Sequence, residues 1–538
     1  MPEEWKKAEI LALAALFLFA VWMWTLPIQK LPMPYGEVDS AHHYGLAEYM
    51  ASNDIVTDKY PFFMYYRYGL DNAVMPGHTA YAPHFFVNEA IAMSFGGDEV
   101  KSYFIFLSIL DTLIILSSFF LIKKLFGFWP AFLSSLLIAF SRIEILTHLM
   151  GQYVVLISFA ATPLVFYCYY KYTESHLGKK PRFIYLVLMA FMLAVQFTNH
   201  TQAIFNTLIV LVLFNIFLIV KERKLPFDTK HALIAILIFF IILGPFVQKA
   251  FQAQIQLGET YTGPDVSKGL GNLFRWYGEG YQQIAVGSDI FSYGAMHALW
   301  TLPLLLLGMI FVFIRRKNKD LLLLSWIVGL YMLFHLDLFT GGTMKIFSAS
   351  RLFRSISDVP HIFYPLAAIG MLSIASFIPL SKKLASYAKY ALIGIFILLV
   401  IFMTAPVSFR MLDQAYPIPA RMNPYQYEAA MWMRQNIPEE TFLINYGTLT
   451  QQAKRFTRDV AQRHIIEDPD GITFIQDTFG VKNLTISYVI VDYSDLVLLS
   501  RNYNTKPDIE RLQQFENATL GNAQLVYDKN YVKVYKVA

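Results

Sequence analysis

Long apolar stretches alternate with short polar ones from the N-terminus to about residue 406. A helix needs about 20 apolar residues to cross the hydrocarbon core of a bilayer. Eleven stretches come close enough to predict membrane spans. They lie at residues 8–26, 102–122, 129–148, 153–171, 183–199, 203–220, 231–248, 296–314, 320–337, 359–379 and 388–406. The pattern therefore predicts a polytopic α-helical membrane protein.

Basic residues mark one side of these spans. Lys6 and Lys7 precede the first span, and Arg315, Arg316 and Lys317 lie between the eighth and the ninth. Four further Lys/Arg clusters fall on the same side if there are eleven spans, and by the positive-inside rule that side is cytoplasmic. The N-terminus is then cytoplasmic, and the long segments 27–101, 249–295 and 407–538 lie outside the cell.

After residue 407 the pattern becomes that of a small soluble α/β domain. A helix is predicted near 427–436 and a buried strand near 487–492. Alternating apolar residues around Asp528-Lys529-Asn530 predict a closing hairpin over 525–537. The sequence thus predicts a transmembrane domain over 1–406, with a catalytic first external loop at 27–101, and an extracytoplasmic α/β domain over 407–538.

Composition supports the membrane assignment. The chain is 56% hydrophobic and only 15% charged, against about a quarter charged in soluble proteins. The net charge of +5 is accounted for by the basic loops, so no nucleic acid partner is predicted. The only cysteine is Cys168, which excludes an intrachain disulfide.

The most distinctive polar segment follows the first span. This acidic stretch, residues 36–44, contains Glu37, Asp39, His42 and His43. If Asp39 opens a helix, both histidines fall on the side of its carboxylate. Such a group could act as a base or bind a metal ion. The alternative is a surface loop in which Asp39 caps a helix.

Other polar side chains also gather at the predicted outer ends of the spans. Two turns and the first loop supply candidate metal ligands or substrate contacts. The candidates are Glu144, His148, Gln152, His200, His78 and His84. The alternative for the first turn is that Arg142 pairs locally with Glu144.

Two arginines precede the tenth span on the outer side, where positive charge is disfavoured. Arg351 and Arg354 are three residues apart, so a helix would point them the same way. Guanidinium groups bind phosphate through paired hydrogen bonds, and a phosphate is the predicted partner. The alternatives are Asp358 or lipid headgroups.

One acid falls inside an apolar stretch. Asp111 lies in the middle of the second predicted span, where an acidic residue is expected to be functional or to hydrogen-bond to a neighbouring helix. It is predicted to lie far from the outer face.

These segments together resemble the GT-C membrane glycosyltransferases, and most closely their archaeal oligosaccharyltransferase-like members. Asp39-Ser-Ala-His-His-Tyr44 resembles the motif of the first external loop. Ser141-Arg142 leading to Gly151 resembles the second loop, and Arg351 in Ser-Ala-Ser-Arg-Leu-Phe resembles the arginine before a late span. The helix ending Arg434-Gln-Asn-Ile-Pro-Glu439 also resembles that group, as does the closing Tyr-Val-Lys-Val-Tyr-Lys-Val.

The resemblance implies an inverting glycosyltransferase that takes a sugar from a polyprenyl-phosphate donor at the outer leaflet. Asp39 or Glu37 would supply the catalytic carboxylate that takes the proton of the acceptor hydroxyl. Arg351 and Arg354 would bind the donor phosphate. A divalent cation, Mg²⁺ or Mn²⁺, could join Asp39 with Glu144 and His148. Membrane lipid is a further expected partner.

Two departures from the family bear on the acceptor. Oligosaccharyltransferases carry Trp-Trp-Asp-Tyr-Gly where this chain has Leu443-Ile-Asn-Tyr-Gly447, and the acidic pair expected after Gly151 is replaced by Gln152-Tyr153. A lipid-linked or other glycan is therefore the expected acceptor. The alternatives are an oligosaccharyltransferase acting on protein, a lipid or glycan transporter, and a non-enzymatic assembly subunit.

Overall fold

A computed structural model describes residues 6–65, 83–244, 297–334, 355–377, 381–414, 421–466, 485–500 and 503–537. The chain divides into two compact units. The first contains Met1–Trp24, Ser108–His148 and Tyr153–Met411, and the second contains Thr25–Leu107, Leu149–Gln152 and Leu412–Ala538.

Helices make up most of the described chain. In order they are α1 (Lys7–Trp24), α2 (Leu26–Lys30), α3 (Val38–Asn53), α4 (Phe62–Tyr65), α5 (His84–Phe95), α6 (Glu99–Phe126), α7 (Phe128–Ala139), α8 (Arg142–Leu149), α9 (Tyr153–Leu177), α10 (Ile184–Asn199), α11 (Thr201–Glu222), α12 (Thr229–Leu243), α13 (Thr301–Arg315), α14 (Asn318–Phe334), α15 (Pro360–Phe377), α16 (Lys382–Leu399), α17 (Ala405–Gln414), α18 (Pro424–Asn436), α19 (Gln451–Ala461), α20 (Ser494–Leu499) and α21 (Lys506–Leu520). A π-helical turn, Val400–Thr404, joins α16 to α17.

Several of these helices are long and apolar enough to cross a membrane. Within the described ranges there are six: Lys7–Trp24, Glu99–Phe126, Tyr153–Leu177, Thr201–Glu222, Ile356–Ala375 and Lys383–Asp413. Counting a bent pair as one span makes seven. The chain is therefore an integral membrane protein, and the count of eleven spans stays a prediction.

The bent pair is where the predicted span 129–148 differs from the structure. It consists of two helices, α7 and α8, which meet at 42°. The break falls at Phe140 and Ser141, directly before Arg142 and Glu144. The buried side chains of Glu144 and His148 on α8 contact side chains of other helices. The hydropathy of the segment does not reveal these contacts.

Two glycines bring α13 and α15 into close contact. A Cβ on Gly308 would lie 1.9 Å from the Leu366 carbonyl oxygen, and one on Gly370 would lie 2.0 Å from that of Leu304. Small residues let helix backbones approach closely in membranes, where packing rather than hydrophobicity holds helices together. This pair of helices therefore requires glycine at both positions.

The second unit contains a five-stranded sheet in the order β2-β1-β3-β5-β4. The strands are β1 (Phe442–Tyr446), β2 (His464–Ile466), β3 (Ile486–Asp492), β4 (Gln524–Lys529) and β5 (Val532–Lys536). β1 runs parallel to β2 and β3, whereas β5 runs antiparallel to β3 and β4. The predicted helix, strand and hairpin near the C-terminus are confirmed by α18, β3 and the β4–β5 pair.

The two central residues of the hairpin turn have left-handed backbone conformations. Asn530 and Tyr531 both have positive φ, 52° and 69°, as the two central residues of a type I′ turn require. One face of the sheet packs against α21 in a core that includes Ile444, Val491 and Leu520.

Candidate active site

The acidic stretch forms the N-terminus of α3. Asp39 lies in the first turn, as predicted, and Glu37 is the N-cap residue in extended conformation. Acidic side chains are favoured here because the first turn of a helix carries unpaired N–H groups and partial positive charge. The hydroxyl of Ser40 donates to the Tyr35 carbonyl at 2.7 Å and fixes the chain before the helix.

The segment Leu149–Gln152 packs against this helix start. The Glu37 N–H donates to the Leu149 carbonyl oxygen at 2.9 Å. Gly151 has φ +73°, and a Cβ there would lie 2.1 Å from the Ser40 nitrogen. Glycine is required at this position, both for its backbone and for this contact. Gln152, a predicted substrate contact, is buried beside it. The motifs of the first and second loops therefore meet in space.

His42 and His43 pack among aromatic rings. The His42 ring lies 5.2 Å from Tyr60, and the His43 ring stacks on Phe86 at 5.5 Å and lies 5.3 Å from Phe85. Both histidines are buried. They line the contact between α3 and α5, and a role as metal or acceptor ligands stays a prediction.

In the first unit, two acid–imidazole pairs hold α8. Glu144 and His148 are four residues apart on this helix. The Glu144 carboxylate lies 2.6 Å from His361 Nε2 and accepts from the Ser141 hydroxyl at 3.0 Å. His148 Nδ1 lies 2.7 Å from Asp111 Oδ2. Asp111 on α6 therefore contacts a residue of the predicted outer turn, in agreement with the predicted hydrogen bond to a neighbouring helix. Its distance from the outer face stays a prediction.

The contacts of Glu144 continue into a larger buried polar cluster. His361 Nδ1 lies 3.5 Å from Asp358 Oδ1, and the Asn206 amide donates to Asp358 at 3.3 Å. The Ser355 hydroxyl donates to Asn206 at 3.1 Å. Sequence analysis missed Asn206 and His361. The available signal was an amide within an apolar helix, since a buried amide must find partners.

The sequence predicts a divalent cation held by Asp39, Glu144 and His148. Among the described residues, no group of three His, Cys, Asp or Glu side chains is placed to hold a metal ion. Within the first unit, Glu144 contacts His361 and His148 contacts Asp111. Binding of Mg²⁺ or Mn²⁺ by Asp39 with Glu144 and His148 stays a prediction.

Two of the remaining predicted site residues, His84 and His200, lie within the described ranges. His84 is exposed at the start of α5. His200 caps α11, and its Nδ1 accepts from the Gln202 N–H at 3.2 Å. Arg351, Arg354 and His78 lie outside the described residues.

Sequence analysis also missed two partners of the acidic stretch. Gln452 Nε2 on α19 donates to Glu37 Oε2 at 2.5 Å. Burial raises the pKa of Glu37, and the positive charge of Arg455, three residues further along α19, opposes this rise. These residues lie far from the acidic stretch in sequence, and no local pattern links them to it.

A second polar group lies at the carboxyl ends of β1 and β3. Asp492 Oδ2 accepts from the Thr448 hydroxyl at 2.5 Å and from the Gln426 amide at 2.7 Å. Asp492 Oδ1 accepts from the Ser494 N–H at 2.9 Å. The carboxylate thereby ties the start of α18 to the sheet through hydrogen bonds internal to the protein.

The chain shares its fold with solved membrane glycosyltransferases of the GT-C type. The archaeal oligosaccharyltransferase AglB from Archaeoglobus fulgidus, in complex with an inhibitory peptide and a dolichol-phosphate, has a TM-score of 0.58 at 14% identity, covering 99% of this chain and 74% of that one. The Archaeoglobus fulgidus oligosaccharyltransferase in complex with Zn and sulfate has a TM-score of 0.55 at 14% identity, covering 89% of this chain and 68% of that one.

A second type of solved structure shares the fold over nearly its whole length. ArnT from Cupriavidus metallidurans bound to undecaprenyl phosphate has a TM-score of 0.53 at 12% identity, covering 97% of both chains. By sequence, the chain belongs to the family of unknown function DUF6541, whose profile matches residues 2–446. No curated protein sequence matches the chain.

Proposed function

We propose that the protein is an inverting glycosyltransferase. It moves a sugar from a polyprenyl-phosphate-linked donor to a lipid-linked or other glycan acceptor at the outer face of the membrane. The observation that carries the proposal is the start of α3, where Asp39 lies in the first turn and the Gly151 loop packs against the same turn. Two proteins of this fold were solved with dolichol-phosphate and undecaprenyl phosphate.

In the proposed reaction, Asp39 accepts the proton of the acceptor hydroxyl. The hydroxyl oxygen attacks the anomeric carbon, and the bond from that carbon to the phosphate oxygen breaks on the opposite face. The bonding electrons leave with the polyprenyl phosphate, and the anomeric configuration inverts. General base catalysis of this kind contributes about 10²–10⁴-fold to the rate.

The leaving phosphate gains negative charge as the bond breaks, so the transition state needs positive groups nearby. Arg351 and Arg354 are the proposed groups. Their guanidinium groups can each donate paired hydrogen bonds to phosphate oxygens. This assignment rests on sequence, because both residues lie outside the described ranges.

A glycan acceptor is favoured over a protein sequon by the residues of β1. Leu443 and Ile444 occupy the place of the two tryptophans of the oligosaccharyltransferase motif and are buried within the sheet. Asn445 accepts a hydrogen bond from Thr448 at 3.1 Å. These side chains are buried, and this chain has no tryptophan at either position.

The proposal includes the membrane topology predicted from sequence. Eleven spans with a cytoplasmic N-terminus would place the acidic stretch and the C-terminal domain, with a boundary near residue 407, on the extracytoplasmic side. The basic loops support this orientation through the positive-inside rule.

The test is transfer of labelled sugar from a polyprenyl-phosphate sugar to a membrane lipid extract by the purified protein in liposomes. Asp39→Asn removes the base without changing side-chain size, and we expect transfer to fall by about 10²–10⁴-fold. Asp54→Asn is the matched control, because Asp54 is exposed and has φ 52°, which asparagine tolerates.

Transfer by the wild type that is lost in Asp39→Asn and kept in Asp54→Asn supports the proposal. Equal transfer by all three proteins would show that the acidic stretch is not the catalytic site.

A further inference from the structure

Helices α3 and α19 of the second unit lie side by side and run in the same direction. Contacts between them follow both chains in order. Gln452 bonds to Glu37, the Phe456 ring lies 6.0 Å from Tyr44, and the Gln462 amide donates to the Ser52 hydroxyl at 3.0 Å. The N-terminal ends of both helices are therefore next to each other, at the acidic stretch.

A glycine makes this close approach possible. A Cβ on Gly45 of α3 would lie 2.6 Å from Cγ of Asp459 on α19. Any larger residue at position 45 would push α19 away. The close approach at Gly45 keeps the helices near enough for Gln452 to reach Glu37 at their N-terminal ends.

Glu37 uses its carboxylate for this inter-helix contact. It is the N-cap residue of α3, yet its side chain makes no capping hydrogen bond to its own helix. The carboxylate accepts from Gln452 of α19 instead. Arg455 follows Gln452 by three residues, on the same side of α19, and is 8% exposed. Its charge acts on Glu37.

We propose that Glu37 is a positioning residue, held by Gln452 and Arg455, and that Asp39 is the base. The three residues Glu37, Gln452 and Arg455 form the Glu37 cluster. The role assigned to Asp39 rests on the function proposed above. The cluster fixes the N-cap of α3, and Asp39 lies two residues further along the same turn, so its carboxylate takes its position from the cluster.

This assignment separates the two acids in a transfer assay. Glu37→Gln keeps an oxygen that can accept from Gln452 and loses only the charge. We expect a fall in kcat of about tenfold or less with the KM for the donor unchanged, because a displaced base slows the chemical step. Asp39→Asn removes the base and costs about 10²–10⁴-fold.

Pairs of substitutions test whether the cluster acts as a unit. Arg455→Gln should cost about as much as Glu37→Gln, and the double variant should be no worse than either, since interacting residues are not additive. Arg455→Lys keeps the positive charge and should retain most of the wild-type transfer. Arg511→Gln, which neutralises an exposed residue of α21, is the control and should transfer like the wild type.

Two results would overturn the proposal. One is that Glu37→Gln loses as much transfer as Asp39→Asn. The other is that the Glu37→Gln and Arg455→Gln losses multiply in the double variant, which would mean that the two residues act separately.

Failure of the proposed function can be told apart from failure of the cluster. If the wild type transfers no sugar, the wild type, Glu37→Gln, Arg455→Gln and the double variant are compared by thermal unfolding in detergent. Shifts in Tm that are not additive for Glu37 and Arg455 would keep the cluster and discard the catalytic assignment. Additive shifts would discard the cluster as well.

Discussion

At the scale of single residues, Glu48 is a buried acid of the second unit whose protonation affects folding. It is buried in α3, and its carboxylate pairs with Arg434 of α18. Burial raises the pKa of Glu48 from 4.5 to about 8, although Arg434 opposes the rise. The free energy of unfolding therefore depends on pH, because the Glu48 carboxyl of the folded protein holds a proton that the unfolded chain releases.

The sign of this dependence follows from the raised pKa. The contribution of Glu48 to stability is full below about pH 4.5 and is lost as the pH rises through about 8. Each pH unit in that window can cost up to about 1.4 kcal/mol. We expect Tm to fall between pH 5 and pH 8, measured by thermal unfolding in detergent, and Glu48→Gln to flatten the slope.

Glu440→Gln, at an exposed position, is the control and should leave the pH slope of Tm as in the wild type. A Glu48→Gln protein with the wild-type slope would show that other groups produce the pH dependence.

The sequence indicated some of these residues and not others, for a physical reason. Asp39 could be predicted as part of a helix start because an acid in the first turn is a local signal. The bond from Gln452 to Glu37 joins residues 415 positions apart. The contact of His361 with Glu144 likewise depends on the packing of helices that are far apart in the sequence. No local sequence pattern predicts it.

At the scale of elements, the contact between α13 and α15 depends on two glycines. Gly308→Ala or Gly370→Ala would place a methyl group about 2 Å from a carbonyl oxygen of the other helix. Overpacking of this kind costs about 1–3 kcal/mol. We expect either variant to unfold at a lower temperature than the wild type in detergent.

Gly394→Ala is the matched control for these substitutions. Gly394 lies within α16, and a Cβ there has no atom within 4 Å. Alanine is the better helix former by about 1 kcal/mol, so Tm should stay the same or rise slightly. If all three variants behave alike, the close approach of α13 and α15 does not contribute to stability.

Elements were predicted well where a local pattern defines them. The hairpin follows from alternating apolar residues around a turn, and its strands are β4 and β5. The break between α7 and α8 was missed because the apolar stretch continues on both sides of it. Hydropathy measures the average character of a segment, whereas this bend follows from where a few polar side chains find partners.

At the scale of the whole molecule, the GT-C fold joins a helical membrane unit to a unit built around the acidic stretch and the sheet. The fold itself was predicted from short motifs spread over most of the chain, and the shared fold with AglB and ArnT confirms it. A fold alone does not define a reaction. In the proposed function, the choice between transferring a sugar and moving a lipid depends on the chemistry at Asp39.

The most direct measurement follows the sugar–phosphate bond of a polyprenyl-phosphate sugar in liposomes that contain the purified protein. We predict that the wild type breaks this bond, releases polyprenyl phosphate and forms a product with inverted anomeric configuration. A donor that stays intact while it crosses the bilayer would contradict the account and identify the protein as a transporter.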